Sequence, residues 1–167
     1  AEVTDVSHSV AMGADALMLS AESATGDYPI EAVEMMDRIA RQAEAHLWRQ
    51  EAFGTLIMEP TGETIAFGDA VARATSLLSR DLKVRAVIVF SESGMSAITT
   101  SAARPAAPII AISSDAATCR KLALNWGALP VEVNAEDLGD KPSLARDVAV
   151  QMGIAASGDY VLAVQGF

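Results

Sequence analysis

From Thr64 onward the chain alternates helix-period stretches with short, continuous apolar runs, and this alternation limits the fold more than any other feature. The runs Ala86 to Phe90, Pro108 to Ser113, Pro130 to Val133 and Tyr160 to Gln165 are bounded by turn residues and rich in Val and Ile, so each reads as a strand. Between them the apolar spacing predicts helices over Thr64 to Arg80, Met95 to Ala103, Asp115 to Trp126 and Ser143 to Ser157, with Thr61 or Thr64 capping the first. Strands that alternate with helices are parallel, because each helix carries the chain back to the edge where the previous strand began. The expected fold class is α/β, a mostly parallel open sheet with helices on both faces. In such a sheet the ligand crevice lies beyond the carboxyl ends of the strands. The last strand is followed only by Gly166 and Phe167, so a loop is expected to be missing from that edge.

The first third reads differently. Val3, Val6, Val10 and Ala11 mark one face of a short helix over Val3 to Met12, with Gly13 as its stop. Ala16 to Leu19 is a continuous apolar run that suits a strand buried on both faces, and Ile30, Val33, Met36, Ile39 and Ala43 stripe a long helix over Ile30 to Trp48. From Arg49 to Gly62 periodicity is lost and Gly54, Pro60 and Gly62 appear, the marks of a boundary. The predicted organisation is a helix–strand–helix segment at 1–46, a linker at 47–61 and an α/β domain at 62–167.

A formal charge of −10 opposes binding to nucleic acid, whose phosphates are held by Lys and Arg. Any anionic ligand must be held by local donors against that field. No apolar run reaches the about 18 residues that a membrane-crossing helix needs, so no membrane partner is expected. The chain opens on Ala-Glu-Val-Thr-Asp, without a basic and apolar leader and without Met, as an excised piece would. Cys119 is the single cysteine and has no partner for a disulfide, which fits a reducing, cytoplasmic setting.

Two stretches carry a family resemblance. Ala1 to Val6, followed by Gly13-Ala-Asp-Ala-Leu-Met-Leu-Ser-Ala-Glu-Ser-Ala-Thr-Gly-Asp-Tyr-Pro29, resembles the last helix–strand–helix of the pyruvate kinase barrel. The pattern there is approximately E-x-x-D-V-x-x-A-V-x-x-G-x-D-x-x-M-L-S-x-E-S/T-A-x-G-x-Y-P. Arg104-Pro-Ala-Ala-Pro-Ile-Ile-Ala111 resembles the R-P-x-x-P-I-I/L-A element that enters the second strand of that family's C-terminal domain. The resemblance implies a remnant of a TIM barrel before an allosteric and assembly domain. For the parent protein it implies phosphoryl transfer from phosphoenolpyruvate to ADP, with Mg²⁺ and K⁺. The family's catalytic Lys, metal-ligating Glu and Asp, active-site Thr and monovalent-cation ligands come from earlier barrel strands. The piece alone is therefore expected to be catalytically silent, with no cofactor of its own.

Ser20 and Glu22 follow the predicted strand Ala16 to Leu19, at the end where barrel enzymes build their sites. The resemblance implies that they border the nucleotide side of the active site; the alternative is a turn with helix capping. Thr25 stands where the family frequently has Lys. In the second part, Ser91, Ser93, Gly94 and Ser96 open a helix directly after a strand, offering N–H groups, hydroxyls and a positive helix end to an anion. The resemblance implies that sugar-bisphosphate-activated relatives hold an effector phosphate here, in a T-K-S-G-R-S-like loop. Glu92 and Met95 occupy the two cationic positions of that loop. Fructose bisphosphate is therefore expected to bind weakly, with a small monophosphate effector or plain helix capping as the remaining readings.

His8 and His46, far apart and without metal-type spacing, read as helix-surface residues, and Cys119 beside Arg120 and Lys121 reads as a small hydrophobe or a thiol of lowered pKa. Met35, Met36 and Met58 read as fillers, and Trp126 as a packing residue closing a helix before Gly127. An apolar stripe and strand left without barrel neighbours predict a homo-oligomer. Two rival readings are a stand-alone phosphate-binding or scaffold module, and a small enzyme using a Ser nucleophile within Ser91 to Ser96, for which neither histidine is placed as base.

Overall fold

The structure is a computed structural model and describes residues 2–50 and 64–165. It divides into two compact units, Ala1–Met58 and Glu59–Phe167. Most of the expected linker 47–61, with Met58 and Thr61, lies outside the described residues.

In the second unit the expected alternation forms helix α4 (Phe67–Asp81), strand β1 (Ala86–Phe90), helix α5 (Met95–Ala102) and strand β2 (Ile109–Ser113). Helix α6 (Ala116–Leu122), strand β3 (Ala128–Glu132), a 3-10 helix (Ala135–Gly139), helix α7 (Lys141–Gln151) and strand β4 (Val161–Gln165) complete it. The four strands form one sheet in the order β3-β2-β1-β4, and every pair is parallel. Every residue of β1 and β2 is buried, because both strands are interior and both sheet faces are covered.

The pleat sorts the core into two halves. Val87, Val89, Ile109 and Ala111 point to one face and pack with Ala97 of α5 and Leu122 of α6. Ala86, Ile88, Phe90, Ile110 and Ile112 point to the other and pack with Ala145, Val148 and Ala149 of α7. Pro130 is accommodated in β3 because that strand lies at the sheet edge. The Arg104-Pro105 element enters β2 under a polar stitch: Ser76 Oγ donates to the Arg104 carbonyl at 3.3 Å and the Ala106 N–H to Ser79 Oγ at 2.8 Å. Arg104 is itself buried, with its guanidinium 4.6 Å from the centre of the Trp126 ring. Trp126 thus packs as expected, but beyond the end of α6 rather than within it.

Several expected boundaries shift. The α4 N-cap is Ala66, with no side-chain bond, so Thr64 does not cap it. Helix α6 ends at Leu122 rather than Trp126, and α7 ends at Gln151 rather than Ser157. The α7 stop has a clear cause: Gly153 takes φ +68° and donates to the Val150 carbonyl, while the Ile154 N–H reaches back to Ala149. That pair of bonds is a Schellman closure, which needs a left-handed residue.

The first unit contains α1 (Glu2–Ala11), a single turn α2 (Ala21–Ala24) and α3 (Pro29–Arg49), with α1 packed on α3. Gly13, at φ +86°, closes α1 as expected. The expected strand Ala16–Leu19 is not one: these residues belong to no ladder, and Met18 is 89% exposed. A strand is defined by its neighbours, and no described residue pairs with this run. Val10 is the only buried hydrophobic among the described residues of this unit, while Met12, Met18, Ile30 and Val33 are exposed.

Ile110→Ala, in the fully buried β2, is expected to lower unfolding free energy by about 2 to 5 kcal/mol. Met18→Ala is expected to change it by no more than about 0.5 kcal/mol. Urea titrations followed by far-ultraviolet circular dichroism measure both.

Candidate functional site

The strand order places a switch point at the carboxyl end of β1. The chain leaves β1 toward β2 and β3, then returns to lay β4 on the opposite side of β1. Connections that diverge in this way open a crevice at the carboxyl edge. A cleft of about 390 Å³ lies there, lined by Ser91, Glu92, Ser93 and Ser96 after β1, by Ser113 and Ser114 after β2, by Lys141 at the start of α7, and by Gln165 of β4.

The loop Ser91–Gly94 is held from below. The Ser91 N–H donates to the Ile112 carbonyl at 3.0 Å, extending the β1–β2 ladder one residue past the strand. Gly94 is the N-cap of α5 at φ +86°, a left-handed conformation that disfavours any side chain. A Cβ there would also meet Thr118 Cγ2 at 3.3 Å and Leu122 Cδ2 at 3.4 Å, so glycine allows α5 to close on α6. Thr118 Oγ1 lies 2.7 Å from Asp115 Oδ2 and 3.1 Å from the Glu92 carbonyl oxygen, so its one proton serves either the α6 cap or the loop.

Asp115 also accepts the N–H groups of Ala117 and Thr118, and its own N–H donates to Ser113 Oγ at 3.1 Å. The Thr118 hydroxyl, followed by those two N–H groups, holds the Asp115 carboxyl below its ordinary value. Asp140 caps α7 by accepting the Ser143 N–H, and the Ser143 bonds lower its pKa likewise. Lys141, in the first turn of α7, sets its ammonium 5.6 Å from the Phe90 ring centre.

The structure places Ser91, Ser93 and Ser96 along this single cleft, with Gly94 at the helix start they share. Ser91 and Ser96 are buried, whereas Ser93 is exposed and accepts the Met95 N–H at 3.4 Å. The N-cap residue itself, Gly94, has no side chain to cap α5. Lys141, Ser113, Ser114 and Gln165 were not among the sequence candidates. Lys141 had a signal: Asp140 three residues before Ser143 marks a helix start ahead of the one expected at Ser143.

Ser20 and Glu22 fall in the first unit, at α2. Ser20 makes no side-chain cap; its N–H donates to Glu22 Oε2 at 3.1 Å, and backbone bonds from Glu22 and Ser20 lower the exposed Glu22 carboxyl. Thr25 Oγ1 donates to the Ala21 carbonyl at 3.4 Å. His8 and His46, distant in sequence, line one mostly apolar groove between α1 and α3. Among the described residues, no three His, Cys, Asp or Glu side chains converge as a candidate metal centre. Cys119 is buried, and burial, with Glu132 and Asp115 adding to it, raises its pKa against the opposing Arg120; a lowered pKa is therefore corrected.

Residues 69–167 match the pyruvate kinase alpha/beta domain, and residues 1–33 match the pyruvate kinase barrel domain. The chain belongs to the pyruvate kinase family. A pyruvate kinase of Methylorubrum extorquens is 38% identical over 99% of this chain and 34% of its own length. One from Agrobacterium vitis is 39% identical over 100% of this chain and 35% of its own. A crystal structure of Cryptosporidium parvum pyruvate kinase superposes with a TM-score of 0.86 at 29% identity, covering 99% of this chain and 34% of that one. The chain thus spans about a third of the length of the pyruvate kinases it matches. Among the described residues, no helix is long and apolar enough to cross a membrane.

Because the Asp115 carboxyl is depressed in the folded chain, the unfolded chain binds more protons in acid. Its stabilisation is complete well above the ordinary value of 3.8 and is lost as pH falls through the folded value. Asp115→Asn is expected to flatten the acid limb of stability between about pH 5 and pH 2. Urea midpoints across that range check the slope, which an unaffected limb would contradict.

Proposed function

We propose that this chain is the regulatory and assembly portion of a pyruvate kinase, with the carboxyl-edge cleft of its second unit as the site for a small phosphorylated effector. The observation that carries this reading is the cleft itself, where the N-terminal ends of α5 and α7, five serines and Lys141 converge at a switch point. Backbone N–H groups at a helix start, hydroxyl donors and one ammonium are the donor set that phosphate oxygens require.

The parent protein, on this reading, transfers the phosphoryl group of phosphoenolpyruvate to ADP using Mg²⁺ and K⁺ in the cytoplasm. That chemistry needs metal ions, a cationic cradle and a positioned acceptor. The family's catalytic Lys, metal ligands and active-site Thr belong to barrel strands that this sequence does not contain, so the chain itself binds and assembles without catalysing. The first unit supports assembly: Met12, Met18, Ile30 and Val33 are exposed apolar side chains that association between copies would cover.

The purified chain is expected to show no phosphotransfer from phosphoenolpyruvate to ADP with Mg²⁺ and K⁺ in a coupled assay. Turnover that survives a second, orthogonal purification would overturn that part of the reading. In light scattering the chain is expected to be a dimer or larger, and Met18→Lys with Ile30→Lys is expected to shift it toward monomer. A clean monomer at every micromolar concentration would remove the assembly role.

A further inference from the structure

We infer that Met12 and Met18 are sites of oxidation by peroxides, and that turning their thioethers into sulfoxides controls whether copies of this chain associate. The inference rests on the assembly reading of the first unit and adds how that assembly is regulated.

Among the described residues the exposed methionines are Met18 at 89%, Met12 at 71%, Met95 at 60%, Met35 at 46% and Met152 at 40%. The two that lead this order lie on either side of the turn at Gly13: Met12 directly follows α1, and Met18 sits in the run Ala16 to Leu19, which belongs to no ladder. The Met35 sulfur accepts a hydrogen bond from an Arg38 guanidinium N–H at 3.7 Å, which draws on the lone pair that an oxidant would take. Met95 and Met152 lie in the second unit, outside the assembly face proposed for the first. The thiol route is closed. Cys119 is the single cysteine, it is buried, and burial raises its pKa, so little of the thiolate that reacts with peroxides is present.

The step is a two-electron oxidation. A thioether sulfur attacks one oxygen of hydrogen peroxide, and the S–O bond forms as the O–O bond breaks. The departing hydroxide takes the proton of the transferred oxygen and leaves as water, so sulfur is oxidised and peroxide reduced. The product replaces a flexible apolar side chain by a polar, chiral one. On a solvated surface the sulfoxide oxygen keeps its water. In an interface it loses that water, and the exposed apolar neighbours of the same face, Ile30 and Val33, have no side-chain donor to replace it. Exposure therefore has opposite consequences in the two states: the sulfurs of a separate chain are open to peroxide, and those of an assembly are covered. Oxidation withdraws separate chains from assembly. A sulfoxide reductase reverses it by oxidising two thiols to a disulfide and releasing the oxygen as water.

The test treats the full 167-residue chain with hydrogen peroxide, places each added oxygen by peptide mass spectrometry and reads association by light scattering. Met12 and Met18 are expected to gain oxygen before Met35 and Met152. Full oxidation of both is expected to weaken association at least about tenfold with the melting curve unchanged, and methionine sulfoxide reductases with dithiothreitol to restore it. Met12→Leu with Met18→Leu keeps the apolar volume without an oxidisable sulfur. That variant is expected to associate as the parent chain does and to be unmoved by peroxide while its Met95 is still oxidised. Association unmoved when both sulfoxides have formed, lost only together with unfolding, or lost equally in the double variant overturns the oxidative control while leaving the assembly. Met12 and Met18 still unoxidised when Met35 and Met152 are oxidised does the same. A chain that is monomeric before any peroxide is added overturns both the control and the assembly reading on which it rests.

Discussion

The position of β1 between β2 and β4 is the constraint on which the second unit depends. As an interior strand it has ladders on both sides, with Val87 opposite Ile109 on one and Leu162 on the other. Its alternating side chains feed both halves of the core, so neither helical layer is anchored without it. The same placement creates the cleft. Because the chain departs from β1 in one direction and returns on its other side, no connection covers its carboxyl end, and the next four residues are free to form a loop. That loop is not slack: the Ile112 carbonyl, the left-handed Gly94 and the Thr118 hydroxyl fix its two ends and its middle.

The two units differ in what their apolar residues do. In the second unit, continuous apolar runs become interior strands, and the cost of ordering them is offset by burial on both faces. In the first, a comparable run, Ala16 to Leu19, forms no ladder, and α3 has no buried residue along its whole length. An amphipathic helix keeps its shape from local hydrogen bonds, so α1 and α3 form with little more than each other as support. A strand has no such independence. This difference explains why the helices of a barrel-like segment are present here while the run between them is not a strand.

That contrast also sets what the sequence could reveal. The runs at Ala86 and Ile109 were legible because their β-branched residues are continuous and their partners lie nearby in the same alternating pattern. Ala16-Leu-Met-Leu19 reads the same way, yet its state depends on neighbours that a local pattern does not encode. A left-handed residue that ends a helix is legible only where the apolar pattern ends with it: Gly13 stands at the end of its pattern, whereas Gly153 lies inside an apparently continuous one. For the cleft, Ser91, Ser93, Gly94 and Ser96 stood out because they are contiguous. Lys141 and Gln165 are dozens of residues away and reach the same place only through the parallel register that aligns Phe90 with Gln165.

The acidic character of the chain bears on how such a cleft works. A formal charge of −10 sets up a field that opposes any phosphate ester. At physiological ionic strength the screening length is about 8 Å, so carboxylates well beyond the cleft contribute little to a bound ligand. What remains is the local set: the α5 N–H groups, the serine hydroxyls, Lys141 and Glu92. Among the described residues that line the cleft, a single cation near a single anion leaves little net charge there. On the proposed effector reading, a ligand in this cleft meets these local groups more strongly than it meets the chain's distant excess of negative charge.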